Sequence, residues 1–321
     1  PPFAPAVGAN ALPTLRAALF IGIFAGLGAV AQGASISETV GKDLILGVQI
    51  TPLAAAAGLL TAAGFIVLGV RTGYPIPAAF AVTGAMVGVG LSLGGDPAFA
   101  TYRRIGTFWA LVPVVSGSIA FGTATLLRHR NVPETVGVPL LGGLVGFIVA
   151  NVRLSVVPSP DGQATIAEYV SRSVGQSPGL VAGYDVAMLA TSVVLGLAVF
   201  AVLRRLLQRS LDTGIRNFLV GLGALVAFSS GGSQVGLATG PLETLFETQL
   251  QAPDYVLLLL GGTGILLGAW MGSPRLLQAV AREYSSLGVR RSIAALVPGF
   301  VIAHAAIALG LMRDSSAVGL L

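Results

Sequence analysis

The sequence contains no cysteine and very little charge. Only 10% of its 321 residues are charged, and Lys42 is the one lysine among 18 basic residues. The absence of cysteine excludes disulfide bonds, a thiolate nucleophile and cysteine-ligated metal sites. Soluble domains carry about 25% charged residues. A chain with so little charge, 54% hydrophobic residues and a mean hydropathy of +0.87 is therefore not a water-soluble globular protein.

Catalytic patterns and a nucleic-acid-binding face are also missing from the sequence. It has no H-E-x-x-H, G-x-S-x-G or P-loop pattern, so we expect neither an enzyme nor a cofactor. The net charge of +5 comes without a clustered basic face interleaved with aromatic residues, which argues against a nucleic-acid partner. His304 is either a packed, hydrogen-bonded histidine or a proton-handling group.

Long apolar runs are abundant and predict an all-α integral membrane protein. About 20 apolar residues cross the roughly 30 Å hydrocarbon core of a bilayer. About nine predicted spans result: Ala17–Gln32, Thr51–Val70, Pro75–Leu93, Thr107–Leu127, Val138–Val152, Tyr184–Leu203, Asn217–Gly240, Tyr255–Gly272 and Ser292–Met312. The third and fifth are short or interrupted by proline and glycine, so either is a candidate re-entrant hairpin.

The arginines predict the orientation in the cell membrane. The segments Arg204–Arg216 and Pro274–Arg291 each contain four arginines, and the acidic loop between them contains no basic residue. Because basic residues accumulate on the cytoplasmic side, we expect both segments to be cytoplasmic loops. Alternation then places the polar segment 153–180 outside.

The segment Pro274–Arg291 also has amphipathic spacing. Leu276, Leu277, Val280 and Tyr284 recur at near-helical intervals. This pattern favours a helix lying in the membrane interface. The alternative is an ordinary solvated loop helix.

Two stretches of the sequence resemble each other at a nearly constant spacing. Gly28 pairs with Gly264 at an offset of 236 positions, and Glu38–Lys42 pairs with Gln278–Arg282 at an offset of 240. Duplicated halves are common in transporters. The spacing therefore favours an internal repeat.

The repeat predicts three parts of the chain. These are a first membrane repeat (1–152), a polar extracellular connector (153–182) and a second membrane repeat (183–321). At the offset of 236, the counterpart of Phe228–Leu242 would begin before residue 1. We therefore expect the first repeat to be N-terminally incomplete.

A serine- and glycine-rich run lies inside the span that begins at Asn217. It consists of Ser229, Ser230, Gly231, Gly232 and Ser233. Each glycine weakens a helix by about 1 kcal/mol relative to alanine, so we expect the helix to open here. Free amides and hydroxyls would then suit an oxyanion such as phosphate. The alternative is a packing ridge of small residues at Gly232, Gly236 and Gly240.

The stretch Phe228–Leu242 (FSSGGSQVGLATGPL) resembles the second signature of the inorganic phosphate transporter family. The matching positions are Phe228, Ser229, Gly231, Val235, Ala238, Gly240, Pro241 and Leu242. Residues 261–296 resemble the family's glycine helix, basic connector and next span. Residues 7–45 resemble the segment after its first signature, and Gly73–Gly95 resembles its hairpin.

This resemblance implies two inverted repeats that bind an anion near the midplane and move it by alternating access. The implied substrate is inorganic phosphate or a similar oxyanion. The residues that the resemblance assigns to anion or ion binding are Ser229, Ser230, Gly231, Gly232, Ser233 and Gln234, followed by Thr239 and Thr83. For each threonine, a hydrogen bond to its own helix is the alternative.

The sequence also departs from the family pattern. Ser233 and Gln234 stand where the family has an Asn-Asp pair, and residues 77–80 replace a run rich in serine and threonine. Losing the carboxylate removes a ligand for a coupling sodium ion or a carrier for a proton. A sulfate permease of the same fold and a non-transporting membrane subunit therefore remain alternatives. The glycine ridges permit a homodimer.

Overall fold

The computed structural model shows a bundle of helices. It describes residues 2–32, 44–74, 76–129, 132–159, 164–174, 180–181, 184–243, 245–285 and 288–308. The helices are α1 (Ala4–Gly8), α2 (Thr14–Gln32), α3 (Pro52–Thr72), α4 (Ala78–Ser92), α5 (Phe99–Arg128), α6 (Glu134–Val149), α7 (Ile166–Val174), α8 (Val186–Arg209), α9 (Leu211–Thr239), α10 (Asp254–Ser285) and α11 (Gly288–Ala308). A 3-10 turn (Gly240–Leu242) and a π turn (Leu245–Gln249) connect α9 to α10.

Two short antiparallel strand pairs lie outside the helices. Strand β1 (Ile45–Leu46) pairs with β2 (Asp96–Pro97), and β3 (Leu180–Val181) pairs with β4 (Tyr184–Asp185). The first pair joins the chain before α3 to the chain after α4. Helices α3 and α4 therefore form a hairpin whose two chain ends are adjacent.

The predicted membrane architecture is confirmed. Six of the described helices are long and apolar enough to cross a membrane: α2, α3, α5, α8, α9 and α10. Helices α4 and α6 are apolar but shorter, with 15 and 16 residues. At 1.5 Å per residue they reach about 22–24 Å, less than the bilayer core. These are the two segments that the sequence analysis names as candidate re-entrant hairpins. The ninth predicted span begins within α11, and its residues 309–312 lie outside the described part.

Helix α2 lies at the centre of the fold, between α9 and α10. It crosses α9 with almost no side chain between the two backbones. A Cβ atom on Gly28 would overlap the carbonyl oxygen of Phe228, and one on Gly231 would overlap the carbonyl oxygen of Ala25. Only glycine fits at this crossing. Such close backbone approach is how helices gain contact energy in a membrane, where lipid is as apolar as leucine.

The crossing corrects the predicted opening of the helix at the serine- and glycine-rich run. Helix α9 continues without a break through Gly231 and Gly232 to Thr239. Both glycines are buried against α2. Their weak helix propensity is offset by this contact, which a larger residue could not make. The packing alternative given for Gly232, Gly236 and Gly240 therefore holds at Gly232, and Gly231 packs in the same way.

Helix α2 also contacts α10, and glycines of both helices lie at this contact. A Cβ atom on Gly262 would lie 3.5 Å from the carbonyl oxygen of Gly26, and one on Gly26 would lie 3.7 Å from that of Gly262. These glycines stand 236 positions apart, which is the predicted repeat offset. Reciprocal contact of equivalent residues is expected where two related units meet at a two-fold axis. The arrangement is compatible with an inverted repeat, which stays a prediction.

The segment 274–291, predicted as a helix in the membrane interface, is not a separate helix, and the interface location stays a prediction. Helix α10 runs through Pro274 to Ser285 as one element. Leu277, one of the apolar residues behind the prediction, is fully buried in the main core with Val297 and Phe300 of α11. Protein rather than lipid therefore covers this part of the amphipathic face. Amphipathic spacing alone does not distinguish the two environments.

Two sets of contacts show which segments share an end of the bundle. Helix α5 ends at Arg128, and α9 and α11 begin near Arg216 and Arg290, around one cavity. At the other end, the backbone N–H of Ser155 donates to the carbonyl oxygen of Ala31 at 2.7 Å. The two arginine-rich segments therefore share one end, and the polar segment after α6 lies at the opposite end.

The α2–α9 crossing makes a stability prediction. We expect Gly231→Ala to destabilise the protein by about 1–3 kcal/mol, the usual cost of overpacking, because the new Cβ meets the Ala25 carbonyl. The measurement is the thermal unfolding midpoint of the purified chain in detergent. Gly221→Ala is the matched control on the same helix, with no heavy atom within 4 Å of its Cβ position. Equal midpoints for the two variants would contradict the close crossing.

Candidate functional site

A stripe of hydroxyl groups runs along one face of α9. Ser230, Ser233 and Leu237 follow the helical spacing i, i+3, i+7, which places them on the same face. Leu237 is 1% exposed and packs in a cluster with Val82 and Met86 of α4. The two serines therefore lie on the side of α9 that meets α4.

The serines on this part of α9 are half-buried. This holds for Ser229, Ser230 and Ser233. The Ser233 hydroxyl donates to the carbonyl oxygen of Ser230 at 3.0 Å, and its two lone pairs stay available. The predicted binding groups are therefore present as side chains, although the backbone amides between them remain in the helix.

Thr83 of α4 is the most unusual polar residue of this region. It is 7% exposed, and its hydroxyl has no hydrogen-bond partner among the described residues. Leaving a buried hydroxyl unsatisfied costs about 1–3 kcal/mol, and native structures rarely retain such groups without a reason. Thr83 lies in the same helix as Val82 and Met86, which contact the Leu237 cluster. A ligand or a water beside α4 would satisfy it.

Gln32 is a polar residue beside α9 that the sequence analysis did not single out. It ends α2, and a Cβ atom on Gly232 would lie 2.5 Å from the Gln32 Cβ and 3.0 Å from its Oε1. Its Nε2 also donates to the carbonyl oxygen of Arg153 at 3.5 Å. The spacing of four from Gly28 to Gln32, on the face that crosses α9, is the signal that could have found it.

Two predicted residues do not join this group. The Thr239 hydroxyl donates to the carbonyl oxygen of Val235 at 2.8 Å, and the side chain packs against Gly261 of α10. This is the helix-bonded alternative considered for it. Gln234 is exposed on the outside of α9. The structure therefore separates Thr83, whose hydroxyl is unsatisfied, from Thr239, whose hydroxyl is satisfied.

The side chains of Gln32, Thr83, Ser230 and Ser233 are all neutral. Hydroxyl and amide groups can donate and accept hydrogen bonds, which matches an oxyanion that carries some protons. Among the described residues, no group of three or more histidine, aspartate or glutamate side chains is placed to hold a metal ion. The Glu38–Lys42 segment of the predicted repeat lies outside the described residues.

The described helices define a multi-span membrane protein. The profile of the phosphate transporter family matches residues 1–312, and the chain belongs to that family. Membership makes it a permease-type membrane protein.

Individual relatives are distant. A candidate phosphate permease of Chlamydia trachomatis is 23% identical over 350 aligned residues, covering 95% of this chain and 79% of the relative. A sulfate permease of Bacillus subtilis is 29% identical over 132 residues, covering 40% of this chain and 36% of the relative. The solved structure of a sodium-dependent phosphate transporter superposes with a TM-score of 0.73 at 23% identity, covering 99% of this chain and 82% of the other. This last likeness confirms the fold.

The unsatisfied hydroxyl makes a binding prediction. We expect Thr83→Val to leave the thermal midpoint of the anion-free protein unchanged or higher, because it removes an unpartnered buried group. We also expect phosphate affinity to fall roughly 10-fold or more, as for a lost hydrogen bond to a charged group. Equilibrium binding of radiolabelled phosphate measures the second effect.

Thr191→Val is the control for this variant. Thr191 is half-buried on α8, outside α4 and α9, and its hydroxyl donates to the carbonyl oxygen of Ala187 at 2.8 Å. It should bind phosphate as the unmodified chain does. Unchanged affinity in Thr83→Val would remove Thr83 from the site.

Proposed function

We propose that the protein moves inorganic phosphate across the cell membrane by alternating access. The main support for this proposal is the buried, unsatisfied hydroxyl of Thr83. Thr83 lies on α4, the helix that packs against the face of α9 with Ser230, Ser233 and Leu237. Membership in the phosphate transporter family supports phosphate as the substrate.

In this proposal the anion lies between α4, the end of α2 and the Ser230–Ser233 face of α9. Thr83 and Ser233 supply hydroxyls, and Gln32 supplies an amide. A site built from neutral groups leaves no unpaired charge in the membrane when it is empty, and such charges are costly. Recognition by side chains replaces recognition by opened backbone, because α9 remains helical here.

Alternating access requires two bodies that rock around the site. The two predicted repeats supply them, and the Gly26–Gly262 contact between α2 and α10 supports this division. The orientation follows from the arginines. Arg216 and Arg290 line one cavity. This supports the proposal that the two basic segments share one end of the bundle and that this end is cytoplasmic.

A second candidate substrate is sulfate. The likeness to the Bacillus subtilis sulfate permease favours it, as does the replacement of the family's Asn-Asp pair by Ser233 and Gln234. Sulfate carries no proton at neutral pH, so it accepts hydrogen bonds but donates none. A site whose hydroxyls and amide both donate and accept fits phosphate better.

Uptake into proteoliposomes tests the function. We expect accumulation of radiolabelled phosphate, little accumulation of sulfate, and faster uptake under an inward sodium or proton gradient, whichever ion is coupled. Empty liposomes and each gradient alone are the controls. Uptake of sulfate in preference to phosphate would identify sulfate as the substrate. If neither anion is taken up under any gradient, the protein is a non-transporting membrane subunit.

A serine variant tests the site within the same assay. We expect Ser233→Ala to weaken phosphate binding by about 1–3 kcal/mol, because a buried partner on the ligand is left unsatisfied. The control is Ser118→Ala on α5, whose hydroxyl also bonds its own helix, donating to the Val114 carbonyl at 2.8 Å. Equal transport KM values for the two variants would move the site away from α9.

A further inference from the structure

A cavity of about 710 Å³ opens at the arginine-rich end of the bundle. The ends of α1, α5, α6, α9 and α11 surround it. Its charged lining residues are Arg128, Arg216, Arg290, Arg291, Glu134 and Asp212. Four guanidinium groups thus face two carboxylates, and the lining carries two net positive charges.

Two of the four arginines are already engaged. Arg290 forms an ion pair with Glu134, and Arg216 donates to the carbonyl oxygen of Asn10. Within the described part of the chain, Arg128 and Arg291 have neither an ion-pair nor a hydrogen-bond partner. Two guanidinium groups are therefore available to a ligand in the cavity.

The backbone adds to the same electrostatic preference. Helices α6, α9 and α11 all begin at this cavity, near Glu134, Asp212 and Gly288. The N-terminus of a helix carries a partial positive charge and stabilises anions. The preference for basic residues at a cytoplasmic end explains arginines there, but not their convergence with three helix N-termini around one space.

We propose that this cavity binds a phosphate group, at a site separate from the candidate transport site. The planar guanidinium group pairs with phosphate oxygens through two parallel hydrogen bonds. A phosphate dianion would neutralise the lining. Arg216 and Ser233 are 17 positions apart on α9, a distance of about 25 Å along the helix, so one ion cannot occupy both sites.

The phosphate group has two sources with the same chemistry. One is free inorganic phosphate from the cytoplasm. The other is the head group of an anionic phospholipid, since basic pockets at the cytoplasmic end of a bundle suit such head groups. The cavity is large enough for a head group.

The test uses the full chain in neutral detergent and the double variant Arg128→Gln/Arg291→Gln. Equilibrium dialysis counts bound radiolabelled phosphate, and native mass spectrometry counts retained phosphatidylglycerol against phosphatidylcholine. The matched control is Arg103→Gln/Arg104→Gln, which removes the same charge from the other end of α5. If the double variant does not purify as a folded protein, Arg291→Gln alone, at an exposed position, serves in its place.

The expected result is a specific loss in the cavity variant. For free phosphate, one bound phosphate per chain disappears or binds at least 10-fold more weakly. For a lipid head group, retention of phosphatidylglycerol falls while bound phosphate is unchanged. Unaltered binding of both, or an equal loss in the Arg103/Arg104 control, would overturn the proposal. Because uptake is not measured, failure here leaves the proposed transport function untouched, and absent uptake would leave this site intact.

Discussion

The contact between the backbones of α2 and α9 determines how the rest of the molecule is arranged. It exists because Gly28 and Gly231 leave no Cβ between the two helices. In lipid, helix association depends on van der Waals contact and a few hydrogen bonds, so near-direct backbone packing is a large part of the available energy. The same crossing sets the end of α2 beside Gly232 and turns the serine face of α9 toward α4. The polar groups of the proposed site are thus positioned by residues that contribute no polar group themselves.

The distribution of charge follows from the cost of burying it. The polar groups between α2, α4 and α9 are neutral, whereas the arginines collect where the helices end. A buried charge without a partner would destabilise the empty protein, but a hydroxyl costs far less. The proposed site of hydroxyls and one amide therefore costs less to leave empty than a site with a buried charge. An unpaired arginine needs the water at the end of the bundle.

The helices could be predicted from the sequence because hydropathy over about 20 residues depends on the bilayer and little on tertiary detail. All nine predicted segments contain a helix. The backbone conformation at Gly231 and Gly232 could not be predicted. The intrinsic propensity of glycine favours a break in the helix, whereas packing against α2 favours a continuous helix. That packing partner is more than 190 positions away in the sequence. Propensity is a weak prior that tertiary contact overrides.

The candidate site shows the same limit at the level of single side chains. Thr83 and Thr239 are equivalent in the sequence argument, yet only the hydroxyl of Thr83 is unsatisfied. Gln32 carries only the weak signal of its spacing from Gly28, because one glutamine at the end of an apolar run is ordinary. Likewise, Leu277 matches an interface helix by its spacing, and only the presence of α11 shows that protein covers it.

The meeting of Gly26 and Gly262 has a mechanical consequence. Interlocked side chains would hold α2 and α10 in one register, since each knob would have to leave its hole before either helix could tilt. Trp270 of α10 is such a knob, because it lies against Gly22 of α2. The contact between Gly26 and Gly262 brings the two backbones together, and the tryptophan about one turn away fixes their register.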